Sequence, residues 1–161
     1  MIATSDRKIQ LAPKEFIAAA RALLDKAARD PGQRYDLQLI GRRQLRSNNS
    51  WLHNVPTMTG GNNTCTVLMH PDDAAARGLA QGDTVTVASA VGAIELPLDI
   101  SDDIRVGTVA VPHGWGHQRS GWRHARTLPG ANVNLLHDPD RVDSFTGTAA
   151  VNNTWVAVAA R

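Results

Sequence analysis

Residues 84–98 read TVTVASAVGAIELPL, and this stretch decides the class of fold. Apolar and polar residues alternate from Thr84 to Ser89 and again from Ala93 to Leu98, with Val91-Gly92 between the two runs. Alternation with a period of two is typical of strands with one buried face, and the intervening glycine favours a turn. The stretch therefore predicts a hairpin with one face in water.

Further short runs of β-prone apolar residues lie on both sides of this hairpin. We predict strands over residues 37–40, 65–69, 107–112 and 154–159. Residues 70–78 carry a proline and two acids at their start and a glycine at their end, which indicates a short helix. The spacing of strands and turns predicts a mainly β barrel or sandwich with a few helices.

The N-terminal part of the chain predicts a helix over residues 13–29. Pro13 suits a first turn, Asp30-Pro-Gly32 suits an end, and a helical stripe runs between them. The stripe consists of Phe16, Ile17, Ala20, Leu23, Leu24 and Ala27. We expect residues 1–36 to form a helical lead-in segment and residues 37–161 to form the β domain, with a boundary near residues 31–36.

Composition limits the classes of protein to consider. The chain has 161 residues, enough for one core, and no apolar run approaches the ~20 residues of a membrane helix. The opening MIATSDRKIQ does not resemble a secretory signal, and the single Cys65 excludes an internal disulfide and a multi-cysteine cluster. A net charge of +2 is too small to indicate nucleic acid. We expect a cytoplasmic protein with neither a membrane nor a nucleic-acid partner.

Negative charge is missing from two parts of the sequence, which we call the acid-free windows. Residues 37–71 and 104–137 contain no Asp or Glu, yet they hold all six histidines, seven arginines and seven of the nine asparagines. Arg and Asn offer forked and amide donors that suit phosphates and base edges. If the fold joins the windows, they form a surface for an anionic ligand.

The segment His113-Gly-Trp-Gly-His117 directly follows a predicted strand. The glycines would allow close approach of a ligand, and the indole offers a flat face and one donor. A metal site with His124 as third ligand is an alternative, although the spacing matches no familiar zinc motif. A packed tryptophan with histidines bonded to backbone is another.

Other candidate residues have equally open roles. Asn132 and Asn134 either present two amides to a heterocycle or cap the turn that follows. Residues 59–63 contain two glycines but lack the ending of a P-loop. Ser47 and Ser50 lie in no nucleophile elbow, and Cys65 lies in an apolar run where an inert thiol is expected.

Five motifs occur in one order along the chain: Gly41-Arg-Arg with Arg46-Ser-Asn-Asn-Ser-Trp51 and His53-Asn54, Met69-His-Pro-Asp-Asp-Ala74, Gly82-Asp83, Pro112-His-Gly-Trp-Gly-His117 and Asn132-Val-Asn134. In this order they resemble the C-terminal molybdopterin dinucleotide-binding domain of the molybdenum and tungsten oxidoreductases related to dimethyl sulfoxide reductase, formate dehydrogenase and dissimilatory nitrate reductase. The resemblance covers roughly residues 37–161.

This resemblance implies a fold, a ligand and a set of contacts. The fold is a six-stranded double-psi β-barrel of the aspartate decarboxylase-like kind, with short flanking helices and an N-terminal helix. The cofactor is molybdopterin guanine dinucleotide, with the metal held elsewhere and none bound by this chain. The implied cofactor-binding residues form three walls: Gly41, Arg42, Arg46, Ser47, Asn48, Asn49, Ser50, His53 and Asn54; then His113, Trp115, Gly116 and His117; then Asn132 and Asn134.

The resemblance also implies an incomplete enzyme. We expect the terminal domain of a larger oxidoreductase, with upstream catalytic domains of the same chain as partners, and no turnover by these residues alone. Two rivals remain open: a protein-interaction adaptor on a double-psi barrel, which predicts an exposed apolar groove, and a small hydrolase or transferase that uses His and Ser.

Overall fold

The protein is described by a computed structural model that covers residues 4–27, 34–61, 63–143, 146–152 and 154–161. Two α-helices, α1 (Lys14–Ala27) and α2 (Pro71–Ala76), accompany six strands. The strands are β1 (Leu37–Arg42), β2 (Val67–Met69), β3 (Thr84–Ala88), β4 (Ala93–Ile100), β5 (Thr108–Pro112) and β6 (Thr154–Ala160). Short 3₁₀ turns lie at Leu45–Ser47, Trp51–Asn54, Pro56–Met58, Ala125–Thr127 and Val133–Leu136.

The six strands close into a barrel in the order β1-β5-β2-β4-β3-β6. The pairs β1/β5 and β2/β4 are parallel, and the other neighbours are antiparallel. Closure gives every strand a hydrogen-bonded neighbour on both sides over at least part of its length. The predicted mainly β class and the six-stranded barrel are confirmed.

Alternate side chains of the strands fill the barrel. In the predicted hairpin Val85, Val87, Ile94, Leu96 and Leu98 are buried, as the alternation required. The remaining strands add Leu37, Leu39, Val67, Met69, Val109, Val111, Val156 and Val158. Each such side chain contributes roughly 1.5–3 kcal/mol on burial, so these residues are the main source of stability.

The N-terminal helix exposes much of its apolar stripe. It begins at Lys14, one residue after the predicted start, and Phe16 is 54% exposed, Ile17 42% and Leu24 71%. The predicted end at residues 30–32 and the side chains of Leu23 and Ala27 lie outside the described residues. An amphipathic pattern specifies one apolar face but not what covers it.

Helix α2 anchors the start of the parallel pair β1/β5. The His70 side chain caps its N-terminus by accepting from the Asp72 N–H, and Arg77 pairs with Asp36 just before β1. The buried Asp73 accepts the N–H of Gly107, just before β5, at 2.7 Å. The helix therefore fixes the ends of β1 and β5 that lie away from their loops 43–66 and 113–137.

We expect Asp73→Ala to lower the free energy of unfolding by about 2 kcal/mol, because the partly buried N–H of Gly107 loses its carboxylate acceptor. Urea denaturation measures the change. Asp72→Ala is the matched control on the same first turn, since the Asp72 side chain is 79% exposed. Equal losses for the two variants would contradict the anchoring role of Asp73.

Candidate functional site

The two acid-free windows meet at one end of the barrel. Arg42 lies opposite Pro112 at the carboxyl ends of the parallel strands β1 and β5, and a long loop leaves each strand there. Because parallel neighbours end at the same edge, loops 43–66 and 113–137 begin side by side. The juxtaposition that the charge pattern anticipated is therefore present in the fold.

A polar cleft lies between these loops. It consists of two adjoining cavities of about 220 and 260 Å³ that share Arg43 and His113. Its other polar lining residues are Gln44, Asn48, Asn49, Asn134, His137 and Asn152. None of the described residues that line it is acidic.

Asn49 is the main junction between the two loops. Its Oδ1 accepts from Arg43 Nη1 at 2.7 Å and lies 2.8 Å from His113 Nε2. Because both bonds use the oxygen, the amide Nδ2 is the group that Asn49 can offer to a ligand. Asn48 and Asn49 both have positive φ, 42° and 63°, a conformation that Asn tolerates better than most residues.

The glycines of the 113–117 segment serve packing within the protein. A Cβ on Gly114 would lie 2.2 Å from the carbonyl oxygen of Asn49, and one on Gly116 would lie 2.7 Å from the backbone nitrogen of Asn132. We predicted that a ligand would approach these glycines closely. Instead, Asn49 approaches Gly114 and Asn132 approaches Gly116. Gly114 and Gly116 thereby hold the three walls together.

Several predicted contact residues are engaged inside the protein. Ser47 and His53 are buried, with Ser47 Oγ 2.8 Å from His53 Nε2. Trp115 is also buried and donates its indole N–H to Gln44 Oε1 at 2.8 Å. Asn54 Oδ1 accepts the backbone N–H groups of His124 and Ala125. Ser47, His53 and Trp115 are therefore part of the interior, and Asn54, which is exposed, links the two loops.

The two predicted arginines have side-chain contacts away from the cleft. Arg42 donates to the carbonyl and hydroxyl oxygens of Thr66, and Arg46 donates to the carbonyls of Thr57 and Gly60. Burial lowers the pKa of Arg42, although Asp99 acts in the opposite direction. Arg43, one residue past the end of β1, instead lines the cleft, as does Gly41 two residues earlier.

The remaining predicted residues lie along the rim. Asn132 Oδ1 accepts the N–H of Asn134, so the capping alternative applies to Asn132, while Asn134 lines the cleft. Gly41 donates its N–H to Asn152 Oδ1, a residue the sequence reasoning missed. Ser50 is half-buried between two 3₁₀ turns. The assignment of all these residues to cofactor contacts stays a prediction.

The histidines do not converge as a metal site would require. His113 faces Asn49, His117 faces His53, and His124 faces Thr59. Among the residues that the structure describes, no group of three His, Cys, Asp or Glu side chains could hold a metal ion. Burial raises the pKa of the Cys65 thiol, as expected of an inert core cysteine.

The donor set fits a molybdopterin dinucleotide. A pyrophosphate requires cationic and N–H donors without nearby carboxylates, and Arg43, Asn49 and His113 supply this at the cleft. Heterocycle edges pair with amides, which Asn48 and Asn134 present.

A sequence profile described as the molydopterin dinucleotide binding domain matches residues 37–155. The chain belongs to this family. The match covers strands β1 to β5 and both loops of the cleft, and it ends within β6.

Similar proteins are large oxidoreductases. The chain is 32% identical over 111 residues to dimethyl sulfoxide/trimethylamine N-oxide reductase of Rhodobacter capsulatus, covering 66% of this chain and 13% of that protein. It is 36% identical over 93 residues to periplasmic nitrate reductase of Desulfovibrio desulfuricans, covering 53% of this chain and 12% of that protein. The chain therefore spans only a small part of the relatives it matches.

A solved structure confirms the fold. Acetylene hydratase from Pelobacter acetylenicus superposes with a TM-score of 0.66 and 21% identity, over 96% of this chain and 21% of that one. The predicted family, barrel and molybdopterin guanine dinucleotide cofactor are thus confirmed, as is homology to terminal domains of molybdenum oxidoreductases.

No helix within the described ranges is long and apolar enough to cross a membrane.

Proposed function

We propose that the polar cleft holds part of the molybdopterin guanine dinucleotide of a larger molybdenum oxidoreductase. The main support for this proposal is that both acid-free windows converge on one cleft. None of the described residues that line the cleft has a carboxylate side chain. Arg43, Asn49 and His113 would bind the diphosphate, and Asn48 and Asn134 would bind heterocycle edges. When bound, the cofactor holds the metal through its dithiolene sulfurs and supplies the redox chemistry.

The role of this chain is then to bind and orient the cofactor. The buried residues Ser47, His53 and Trp115 would support the cleft from below. Because the chain spans 13% of dimethyl sulfoxide/trimethylamine N-oxide reductase, we infer that catalysis requires other domains. We expect no turnover of formate, nitrate or a sulfoxide by these 161 residues with suitable electron carriers.

Guanosine diphosphate is a suitable probe for the cleft. We expect Arg43→Ala to weaken its binding by about tenfold, which corresponds to the loss of one charge-assisted hydrogen bond of about 1.4 kcal/mol. Amide shifts in an NMR titration to about 10 mM detect even a 1 mM complex, worth only about 4 kcal/mol.

The matched control for this titration is Arg105→Ala. Arg105 lies in the other acid-free window, but it precedes β5 and so lies at the end of that strand away from the cleft. We expect wild-type affinity for this variant. Equal weakening by both variants, or shifts at neither Asn49 nor Asn134, would contradict the proposed binding site.

We further propose that other domains of a parent enzyme cover the exposed apolar residues of α1. Ile17 and Leu24 are 42% and 71% exposed, and the matched relatives are several times longer than this chain. In a parent enzyme, Leu24→Asp is expected to weaken the association of this domain with the remainder after limited proteolysis. An unchanged association would contradict the proposed contact.

The adaptor alternative has one observation in its favour. An apolar pocket of about 530 Å³ lies between Cys65, Leu96, Trp115 and Leu128, although the first three of these residues are themselves buried and the alternative predicts an exposed groove. The titration separates the two functions, because a peptide-binding adaptor should show shifts around Leu96 and Leu128 and none at Asn49.

We retain a cytoplasmic location as a proposal, supported by the single buried Cys65. One relative is named a periplasmic nitrate reductase, so cell fractionation is the deciding measurement.

A further inference from the structure

Three imidazole bonds join loop 43–66 to loop 113–137. His113 Nε2 lies 2.8 Å from Asn49 Oδ1, His124 Nε2 lies 2.7 Å from Thr59 Oγ1, and His117 Nε2 lies 2.9 Å from His53 Nδ1. All three bonds connect one acid-free window with the other. How these three hydrogen bonds respond to a fall in pH therefore depends on which ring nitrogens carry a hydrogen.

Two of the bonds tolerate protonation. The amide oxygen of Asn49 can only accept, so His113 donates its Nε2–H to it. The Thr59 hydroxyl already donates to the carbonyl of Pro56, so it accepts Nε2–H from His124. An imidazolium keeps both of these N–H groups, and acid leaves both bonds intact.

The third bond belongs to a buried chain of neutral groups. Gln44 donates its Nε2–H to the Thr64 carbonyl and accepts the Trp115 indole N–H at Oε1, which fixes its amide orientation. Ser47 Oγ lies 3.3 Å from that Oε1 and 3.2 Å from Asn63 Oδ1, so its hydroxyl donates to one of these acceptors.

The orientation of the Ser47 hydroxyl determines both histidine tautomers. Ser47 accepts Nε2–H from His53 at 2.8 Å. His53 Nδ1 then carries a lone pair, and it accepts Nε2–H from His117 at 2.9 Å. In the neutral chain, His117 Nδ1 is the remaining basic nitrogen of the pair.

We infer that His53 and His117 form an acid-operated joint that accepts one proton and is broken by a second. The first proton enters at His117 Nδ1 and leaves the N–H donor to His53 in place. The second must enter at His53 Nδ1, where its hydrogen faces the Nε2–H of His117. Two opposed donors cannot share the bond, so the loops separate at this point.

The surroundings of His53 offer little to stabilise that second charge: a hydrogen bond with the Gly114 backbone favours the charged ring, but burial outweighs it. His53 is fully buried, and Ser47, Trp115 and the Gly114 backbone contact it from the elements packed around it. Within the described part of the chain, the ionisable group that acts on it is His117. Burial, and secondarily His117, lower the pKa of His53.

The direction of the pH effect follows from this lowered pKa. The open loops titrate His53 near its ordinary value of about 6.5, whereas the closed loops take up the proton only at lower pH. Between these two values the open form binds more protons, so closure weakens as pH falls. The inference does not rest on the proposed cofactor site, because it concerns the loops of the free protein.

The indole proton of Trp115 is the reporter for this joint, because it is buried and bonded across the two loops. Its hydrogen exchange, corrected for intrinsic pH dependence, should speed up by about tenfold per pH unit below about pH 6.5. Backbone amides of β3 and β4 serve as the internal reference and should keep their protection. Histidine ring ¹⁵N shifts report the tautomers in the same samples.

His53→Gln should remove this acid-dependent acceleration, because its amide cannot take up a proton. His117→Gln tests the bond itself if the first variant does not fold: its amide oxygen can accept from a protonated His53 Nδ1, so the acceleration should be weaker than in the wild type. His124→Gln is the matched control: it removes another imidazole between the loops and should retain the acceleration. The inference would be overturned if the wild-type indole exchanged no faster at about pH 5 than the β3/β4 reference predicts. It would also be overturned if His53→Gln and His117→Gln both kept the full acceleration of the wild type.

Discussion

Gly114→Ala is expected to lower the free energy of unfolding by about 4 kcal/mol. Gly114 has φ +86°, and an added Cβ would lie 2.2 Å from the carbonyl oxygen and 2.8 Å from the carbonyl carbon of Asn49. Left-handed strain accounts for roughly 1–2 kcal/mol. The remainder arises because backbone atoms, not a flexible side chain, must move, and this movement separates Asn49 from His113.

Gly78 serves as a control that separates the steric clash of the added Cβ from the strain of the left-handed backbone conformation. Gly78 has φ +64°, and an added Cβ there meets nothing within 4 Å. Gly78→Ala should therefore show only the strain of roughly 1–2 kcal/mol. Urea denaturation with a common m-value gives both numbers, and equal losses would mean that the Gly114–Asn49 contact does not hold the loops together.

Trp115→Ala is the second change with a large expected effect, a loss of about 4 kcal/mol. The indole is 5% exposed, its centroid lies 4.3 Å from that of His53, and its N–H bonds to Gln44. Truncation removes a buried ring that contacts His53 and lines the apolar pocket. The void borders the apolar pocket, so partial collapse can reduce the loss.

Two further variants separate packing from hydrogen bonding. Trp115→Phe retains most of the ring but leaves Gln44 Oε1 without its indole donor, and we expect a loss of roughly 1–2 kcal/mol. Trp51→Ala is the exposed control, because Trp51 is 75% exposed and should change stability by less than about 0.5 kcal/mol. A Trp115→Ala loss no larger than that of Trp51→Ala would contradict the supporting role.

The strands of the barrel could be predicted because their signal is local. In β3 and β4 the apolar residues alternate, and Val85, Val87, Leu96 and Leu98 are buried as that alternation requires. Helix α2 was equally predictable, since Pro71, the two acids and Gly78 act through backbone groups within one or two turns. The exposure of the apolar residues of α1 was not, because periodicity leaves the partner of an apolar face undefined.

At the cleft, residue types were predictable but side-chain directions were not. The acid-free windows identified both loops, yet Arg42 turns to Thr66 while Arg43 reaches Asn49. Neighbouring strand residues point to opposite faces, and alternation with Gly41 would have favoured Arg43. His113 and His117 are four residues apart in one motif, yet His113 bonds to Asn49 and His117 to His53. Their spacing in the sequence does not indicate either partner.

The sequence by itself determined the strands, the family and the charge of the ligand that the cleft suits, because these follow from local periodicity, motif order and composition. Only the tertiary structure decided that glycines 114 and 116 serve internal packing and that His53 is buried against His117. The contacts of Gly114 with Asn49 and of His53 with His117 join residues more than sixty positions apart, and their geometry is set by closure of the barrel and by the loops that leave β1 and β5 together.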